Sequence, residues 1–200
     1  MPRDLFGKPE VATQPPDAAP VGERRERDAY YTPDQLALAC CQVLRREGVR
    51  PATILEPGCG GGAFLRAFAK VWPDASTLGV DIAPACEGPG EVRTHDLFDL
   101  GGRFGAAIGN PPFELAERFV RRSLDLVAEH GWVAFLLRIT FLAGQARVPL
   151  YREHPLWSFW PIAGRPSFTG GGADTSEYGL FLWRNGHRAA GSIHEPLVWR

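Results

Sequence analysis

Residues 54–63 read Ile54-Leu55-Glu56-Pro57-Gly58-Cys59-Gly60-Gly61-Gly62-Ala63. The short apolar run that leads into this stretch, Ala52–Leu55, predicts a buried strand. Apolar residues then recur on one face of a predicted helix over Gly62–Val71. Glycines between a strand and a helix let the backbone turn sharply and approach a ligand at the helix N-terminus. The stretch therefore predicts a ligand-binding strand–loop–helix unit.

The alternation of strands and helices continues along the chain. The seven predicted strands are Ala52–Leu55, Ser76–Asp81, Glu91–Arg93, Phe104–Gly109, Trp132–Leu137, Phe159–Ile162 and Tyr178–Trp183. Predicted helices start at Thr32, which would be the capping residue, and cover Gly62–Val71 and Phe113–Glu129. Such alternation indicates an α/β fold with a mostly parallel sheet that helices cover on both faces. Ligands of these sheets bind beyond the carboxyl ends of the strands, so the loops there are the candidates for chemistry.

Length and composition exclude several classes of protein. The chain has 200 residues, 44% hydrophobic and 22% charged, which is the balance of one soluble domain. Apolar runs such as Trp132–Leu137 are far shorter than the ~20 residues of a membrane span, and residues 1–10 lack an apolar signal core. The four cysteines form no CxxC pair, so neither a zinc site nor a disulfide framework is expected. We expect a cytoplasmic monomer or homodimer with no metal and no membrane partner.

Charge is unevenly distributed, although the net charge is only −1. Residues 1–100 contain 11 Lys and Arg against 15 Asp and Glu, a balance of −4, and residues 101–200 contain 11 against 8, a balance of +3. A polyanionic substrate would accordingly face the second half. Residues 1–28 hold five prolines and few large apolar side chains, which predicts a disordered N-terminal tail. The remaining residues, 29–200, are expected to form a single domain.

The glycine loop is compatible with two kinds of nucleoside ligand. Gly58, Gly60 and Ala63 match the dinucleotide-binding pattern GxGxxA, and Asp81 follows Gly58 at about the 20-residue spacing of an acid that binds ribose hydroxyls. NAD binding is therefore open on these residues, as is a glycine-rich turn without a ligand. Glu56 would repel a pyrophosphate and would suit a ligand with an amine or sulfonium charge, such as S-adenosylmethionine.

A second loop, Asn110-Pro111-Pro112-Phe113, follows the fourth predicted strand. An Asn oxygen and a neighbouring backbone carbonyl can each accept a hydrogen bond from an exocyclic adenine amine. They would direct its lone pair outward and stabilise the charge that develops as the nitrogen attacks a methyl group. Prolines stiffen the loop, and the ring of Phe113 can stack on an extruded base. A simple strand-to-helix turn with Asn110 as the cap would explain the first residues but not the aromatic ring.

Taken in order, these motifs resemble those of the S-adenosylmethionine-dependent adenine-N6 DNA methyltransferases of the gamma arrangement, especially small phage-type or prophage-type members. The resemblance covers residues 29–184. It rests on Tyr30-Tyr31-Thr32-Pro33, the glycine loop, Asp81, Asp96-Leu97 and the Asn-Pro-Pro-Phe motif. It implies the class I methyltransferase fold, which is a Rossmann-like sheet of seven strands with the last one antiparallel. It also implies S-adenosylmethionine as cofactor, DNA as the substrate with RNA second, and direct in-line transfer to the N6 amine of adenine.

The resemblance also implies a role for each matching residue. The cofactor would contact Tyr31, Thr32, Pro33, Glu56, Gly58, Gly60, Asp81, Ile82, Asp96 and Leu97. The target base would be held by Asn110, Pro111, Pro112 and Phe113. Asp81 would bind the ribose hydroxyls, and Asp96 and Leu97 would contact the adenine of the cofactor.

Two departures from the family and three alternatives accompany this interpretation. Members usually carry a separate target-recognition domain, which is not expected here, and often have Tyr in place of Phe113. RNA amino-methyltransferases, acting on ribosomal or transfer RNA, and protein glutamine methyltransferases share the Asn-Pro-Pro-aromatic motif. Outside that class, the third alternative is a protein without methyltransferase activity, either a dinucleotide-binding oxidoreductase or a binding module that keeps the fold.

Overall fold

The computed structural model describes residues 32–166, 176–189, 192–193 and 197–198. Its helices are α1 (Asp34–Arg46), α2 (Ala63–Val71), α3 (Ala116–Leu126) and α4 (Val148–Glu153). Its strands are β1 (Thr53–Pro57), β2 (Ser76–Asp81), β3 (Glu91–Thr94), β4 (Phe104–Gly109), β5 (Val127–Arg138), β6 (Leu156–Pro161), β7 (Tyr178–Arg184) and β8 (Ser192–Ile193). No helix in the described ranges has the length and apolarity needed to cross a membrane. The predicted tail, residues 1–28, and the predicted cofactor residue Tyr31 lie outside these ranges.

The strands join one sheet in the order β3-β2-β1-β4-β5-β7-β6-β8. The pairs β1–β2, β2–β3, β1–β4 and β4–β5 are parallel, whereas β7 runs antiparallel to both β5 and β6. The predicted mostly parallel α/β sheet, with seven strands and the seventh antiparallel, is confirmed. The two-residue strand β8, which pairs parallel with β6, was not predicted.

Side chains of the central strands alternate between two hydrophobic layers. In β1, Ile54 lies in the layer that includes α1 and α2, and Leu55 lies in the layer that includes α3 and α4. Leu180 and Phe181 of β7 show the same alternation. Helices therefore cover both faces of the sheet, as predicted.

The start of α1 differs from the prediction. The helix begins at Asp34, its N-cap residue is Pro33, and that residue makes no side-chain capping hydrogen bond. The backbone oxygen of Pro33 accepts hydrogen bonds from the amides of Leu36 and Ala37, at 3.0 and 3.1 Å. Thr32 lies one residue before the cap, and its hydroxyl accepts a hydrogen bond from a distant loop instead. The expectation that Thr32 caps the helix is wrong for that reason.

The boundary between α3 and β5 lies earlier than predicted. A 3₁₀ turn covers Phe113–Leu115, α3 ends at Leu126 and β5 starts at Val127, whereas the predicted helix continues to Glu129. Val127 is β-branched and fully buried, and it pairs with Phe104 of β4. Burial beside β4 therefore favours extended backbone over helix at this point.

Asn185, which directly follows β7, closes an insertion in β5. Between the pairs Phe104–Val127 and Ala106–Trp132, β4 has one residue and β5 has four, 128–131, so β5 carries three extra residues. The side-chain Nδ2 of Asn185 donates to the backbone oxygens of Val127 and Ala128, at 3.3 and 3.2 Å. Its backbone amide donates to the oxygen of Gly131 at 2.8 Å. Asn185 therefore holds both ends of the insertion, one through its side chain and the other through its backbone amide.

Replacing Asn185 with alanine should lower the free energy of unfolding by about 1–3 kcal/mol, because two hydrogen bonds of about 0.5–1.5 kcal/mol each are lost. Urea unfolding followed by circular dichroism measures this change. The exposed Gln145 offers a matched control, and Gln145→Ala should leave the midpoint unchanged. An equal midpoint for Asn185→Ala and the unmodified protein would show that this amide does not stabilise the insertion.

Candidate active site

The glycine loop lies at the carboxyl end of β1, where it contacts two other loops. Gly58, Gly60 and Gly62 have φ angles of +70°, +44° and +71°, which side-chain-bearing residues rarely adopt. The Gly58 amide donates to the backbone oxygen of Val80 at 2.7 Å, which fixes the loop against the end of β2. A Cβ on Gly58 would lie 3.5 Å from Pro112 Cδ, so the glycine loop also adjoins the Asn-Pro-Pro-Phe motif. The two motifs found in the sequence therefore belong to one site.

Asp81, at the end of β2, connects the glycine loop to the segment after β2. Its Oδ2 accepts a hydrogen bond from the Gly60 amide at 2.9 Å, and its Oδ1 accepts one from the Ala83 amide at 2.8 Å. The side chain is half-buried, and each carboxylate oxygen has a second lone pair for another donor. Asp81 thus combines a role in holding the loop with the capacity to bind hydroxyl groups.

Glu56 is enclosed within the protein. Only 3% of the residue is exposed, and its Oε2 accepts a hydrogen bond from the Leu65 amide at 2.9 Å. Burial raises the pKa of the Glu56 carboxyl well above its usual value, and hydrogen bonds from the amides of Leu65 and Phe64 oppose that effect. The Glu56 carboxyl group thus faces the first turn of α2, and its predicted contact with the cofactor stays a prediction. It stabilises the partial positive charge of that helix terminus.

The segments after β2 and β3 supply an apolar and an acidic side chain at the surface. Ile82 is 67% exposed although it is a large aliphatic residue. Asp96 is exposed, and its Oδ1 accepts a hydrogen bond from the Phe98 amide at 2.9 Å. Leu97 is only 3% exposed, and its side chain packs in the hydrophobic layer that includes α3. The Leu97 side chain therefore belongs to the core, and the predicted contact of this residue with adenine stays a prediction.

Asn110 follows β4 and is held in one orientation by the segment before α1. Its Nδ2 donates a hydrogen bond to Thr32 Oγ1 at 3.1 Å. Its Oδ1 is buried and has no hydrogen-bond partner among the described residues. Buried acceptors without a partner are uncommon in folded proteins, because they have lost their hydrogen bonds to water. The oxygen is therefore available to a donor that is not part of the described chain.

Phe113 contacts one residue of β5 and one of β7, which are neighbouring antiparallel strands. Its ring centroid is 5.4 Å from that of Tyr178, which begins β7, and the planes are tilted by 43°. The guanidinium carbon of Arg138, which ends β5, lies 4.5 Å from the centre of the Phe113 ring. Arg138 pairs with Tyr178 in the β5–β7 ladder, so this contact depends on strand register. Sequence reasoning missed Arg138 because nothing local to it indicates that register.

The structure brings most of the predicted site residues to one edge of the sheet. The glycine loop, Asp81 and Asn110 follow the carboxyl ends of β1, β2 and β4, and Thr32 joins them through its contact with Asn110. Pro33 is the N-cap of α1, Pro111 is buried and Pro112 precedes the 3₁₀ turn. In the part of the chain that is described, no three His, Cys, Asp or Glu side chains are grouped so that they could hold a metal ion.

Comparison with curated sequences finds similarity to type II methyltransferases. The chain is 32% identical over 99 residues to Type II methyltransferase M.CvrRI of Paramecium bursaria Chlorella virus XZ-6E, a match to 46% of this chain and 26% of that protein. It is 24% identical over 238 residues to Type II methyltransferase M.TthHB8I of Thermus thermophilus, a match to 92% of this chain and 53% of that protein. The chain thus spans about a quarter to a half of the length of these relatives. No protein-family model matches it.

Comparison with solved structures finds proteins whose fold matches most of this chain. A putative RNA methyltransferase from Pyrococcus horikoshii superposes with a TM-score of 0.63 over 78% of this chain and 87% of its own, at 12% identity. A putative class I S-adenosylmethionine-dependent methyltransferase from Listeria monocytogenes superposes with a TM-score of 0.62 over 84% of this chain and 64% of its own, at 14% identity. The fold is that of a class I methyltransferase. In this class I methyltransferase sheet, the glycine loop and Asn110 follow the neighbouring central strands β1 and β4.

Proposed function

We propose that this chain transfers a methyl group from S-adenosylmethionine to the exocyclic N6 amine of adenine in DNA. The fold supports methyl transfer, and relatives named type II methyltransferases support DNA as the substrate. Bound S-adenosylmethionine would supply an electrophilic methyl group on its sulfonium sulfur. The glycine loop, Asp81, Ile82 and Asp96 are assigned to this cofactor, and the Asn-Pro-Pro-Phe motif to the target base.

The buried Oδ1 of Asn110, which has no hydrogen-bond partner among the described residues, is the observation that carries this proposal. An amine conjugated to a purine ring is a poor nucleophile, because its lone pair is delocalised into the ring. A fixed acceptor on one of its N–H bonds favours a pyramidal nitrogen and stabilises the positive charge that grows as the nitrogen attacks the methyl carbon. The nitrogen–carbon bond forms as the carbon–sulfur bond breaks, and the proton then leaves the nitrogen for solvent. Asn110 thus acts through its oxygen, with no covalent intermediate on the protein.

The position of Glu56 argues against the dinucleotide alternative. A pyrophosphate binds at a helix N-terminus through free backbone amides. Here the carboxyl group of Glu56 accepts hydrogen bonds from the amides of Leu65 and Phe64, in the first turn of α2. The Gly60 amide, in the loop itself, donates to Asp81. These three amides are therefore already paired with carboxyl groups and are not free to bind a pyrophosphate.

The exposed side chain of Ile82 fits a flat, partly apolar ligand beside Asp81. Replacing Ile82 with alanine should weaken S-adenosylmethionine binding about 3- to 10-fold, because roughly 1 kcal/mol of apolar contact is lost. The free energy of unfolding should not change, since the side chain is already 67% exposed. Isothermal titration calorimetry measures the affinity.

The matched control for this prediction is Val198→Ala, another exposed aliphatic residue at 74%. Its neighbour Leu197 pairs with Ile162 next to β6, far across the sheet from β2. Equal affinities for Ile82→Ala and Val198→Ala would remove Ile82 from the proposed cofactor site.

Transfer of tritium from labelled S-adenosylmethionine into separate pools of unmethylated DNA, RNA and protein tests the proposed function. We expect label in DNA, and digestion to nucleosides should place it in N6-methyldeoxyadenosine. The Asn110→Ala variant, used at the same concentration, measures the tritium incorporation that does not depend on the proposed active site. Label confined to RNA would favour the RNA amino-methyltransferase alternative, and label confined to protein would favour glutamine methylation.

A further inference from the structure

We propose that Thr32 is a positioning residue, which fixes the side-chain amide of Asn110 so that its oxygen faces the target amine. This inference rests on the proposed function. The resemblance assigns Thr32 to the cofactor, whereas the structure gives its hydroxyl a direct contact with the base-binding motif. Asn110 Nδ2 donates to Thr32 Oγ1 at 3.1 Å, across a sequence separation of 78 residues. Thr32 is not occupied as a helix cap, because the N-cap of α1 is Pro33.

The orientation of this amide decides whether Asn110 can act. An Asn side chain presents an acceptor oxygen on one side and two N–H donors on the other, and rotation about χ2 exchanges them. An amide turned the wrong way would present its donors to the donors of an amine. The Thr32 hydroxyl accepts one N–H of Asn110, and the oxygen then occupies the buried position that has no partner among the described residues. A single hydrogen bond therefore selects the orientation in which the acceptor is available.

The segment that carries Thr32 is itself fixed to the cofactor side of the site. Asp34, two residues later, forms a two-point ion pair with Arg66 of α2, at 2.6 and 3.0 Å. Arg66 Nη1 also donates to the backbone oxygen of Gly61 in the glycine loop, at 2.7 Å. Bidentate pairing of this kind has a well-defined geometry. These contacts hold the start of α1 against the glycine loop, and so hold the Thr32 hydroxyl beside Asn110.

Single-turnover methyl transfer at saturating S-adenosylmethionine tests this role in three variants. Thr32→Val has nearly the same shape but no hydroxyl, and we expect it to react about 3- to 10-fold more slowly, the rate equivalent of one neutral hydrogen bond. Thr32→Ser restores the hydroxyl and should return the rate to within about twofold of the unmodified enzyme. Gln35→Ala, an exposed neighbour on α1, should have no effect.

Cofactor affinity and thermal stability separate positioning from the other roles that Thr32 can have. We expect Thr32→Val to bind S-adenosylmethionine as the unmodified protein does and to stay folded, with a melting temperature about 2–4 °C lower because one hydrogen bond is lost. A raised Kd with an unchanged saturated rate would overturn the proposal in favour of direct cofactor binding. An unchanged rate and an unchanged Kd together would overturn it in favour of no role. Should Thr32→Val not fold, Thr32→Ala replaces it in the same comparison with Thr32→Ser.

Failure of this inference is distinguishable from failure of the proposed function. An unmodified enzyme that methylates no DNA contradicts the proposed function itself. An unmodified enzyme that methylates DNA, with Thr32→Val equally fast and Asn110→Ala slow, contradicts only the positioning role of Thr32.

Discussion

Replacing Asn110 with alanine should slow methyl transfer to DNA by about 10²–10³-fold, the usual effect of removing one positioned transition-state acceptor. The affinity for S-adenosylmethionine should change by less than about threefold, because Asn110 is assigned to the target amine. The loss should appear at saturating cofactor and DNA, since the acceptor gains strength only as charge develops on the nitrogen. Rapid-quench single-turnover kinetics measure the rate, and calorimetry measures the affinity.

Asn185→Ala is the matched control for this substitution. It removes the same side chain from a residue after β7, where the amide holds the insertion in β5. Below its unfolding temperature, this variant should react at the rate of the unmodified protein. Turnover by Asn110→Ala at more than about a tenth of the normal rate would contradict the proposed mechanism. Failure of Asn110→Ala to fold would instead make Asn110 a structural residue of the turn.

Replacing Asp81 with alanine should weaken S-adenosylmethionine binding by about 10- to 150-fold, because hydrogen bonds to a charged group contribute about 1.5–3 kcal/mol. This substitution has two effects on the same site. It removes the acceptor proposed for the ribose hydroxyls, and it releases the Gly60 amide that Oδ2 now holds at 2.9 Å. The methyl-transfer rate at saturating cofactor should fall much less than the affinity. Calorimetry with S-adenosylhomocysteine, which undergoes no reaction, gives the affinity.

Asp99→Ala is the control for the charge change, since Asp99 is an exposed acid in the loop after β3. It should bind S-adenosylhomocysteine as tightly as the unmodified protein. If Asp81→Ala also binds with unchanged affinity, Asp81 does not belong to the cofactor site. Tight binding of NAD by the unmodified protein would favour the oxidoreductase alternative instead.

The parts of the fold that the sequence predicted best are those that local patterns determine. β2 and β4 have the predicted bounds, and α2 starts one residue after the predicted Gly62. β4 ends at a glycine, β2 ends at Asp81, and α2 begins directly after a glycine, so each of these boundaries has a local signal. Because parallel strands end at a common edge, the strand assignments place both loops at that edge, where Gly58 and Pro112 do adjoin.

What the sequence did not predict depends on contacts between distant residues. Val127 is extended because it pairs with Phe104, although the pattern before it is helical. Glu56 faces α2 because the amides of the following helix lie within its reach, and this contact was not part of the sequence prediction. The hydroxyl of Thr32 could be assigned to a helix cap from its neighbours alone, but its partner lies 78 residues away. Arg138 meets Phe113 only through the register of β5 and β7.

Mass spectrometry of DNA nucleosides tests the central claim most directly. The chain is expressed in a host that lacks adenine methylation, and the same host with Asn110→Ala provides the background. The proposed function predicts N6-methyldeoxyadenosine in the first DNA and none above background in the second. DNA without N6-methyldeoxyadenosine from a folded protein that binds S-adenosylmethionine, or methylated cytosine in its place, would contradict it.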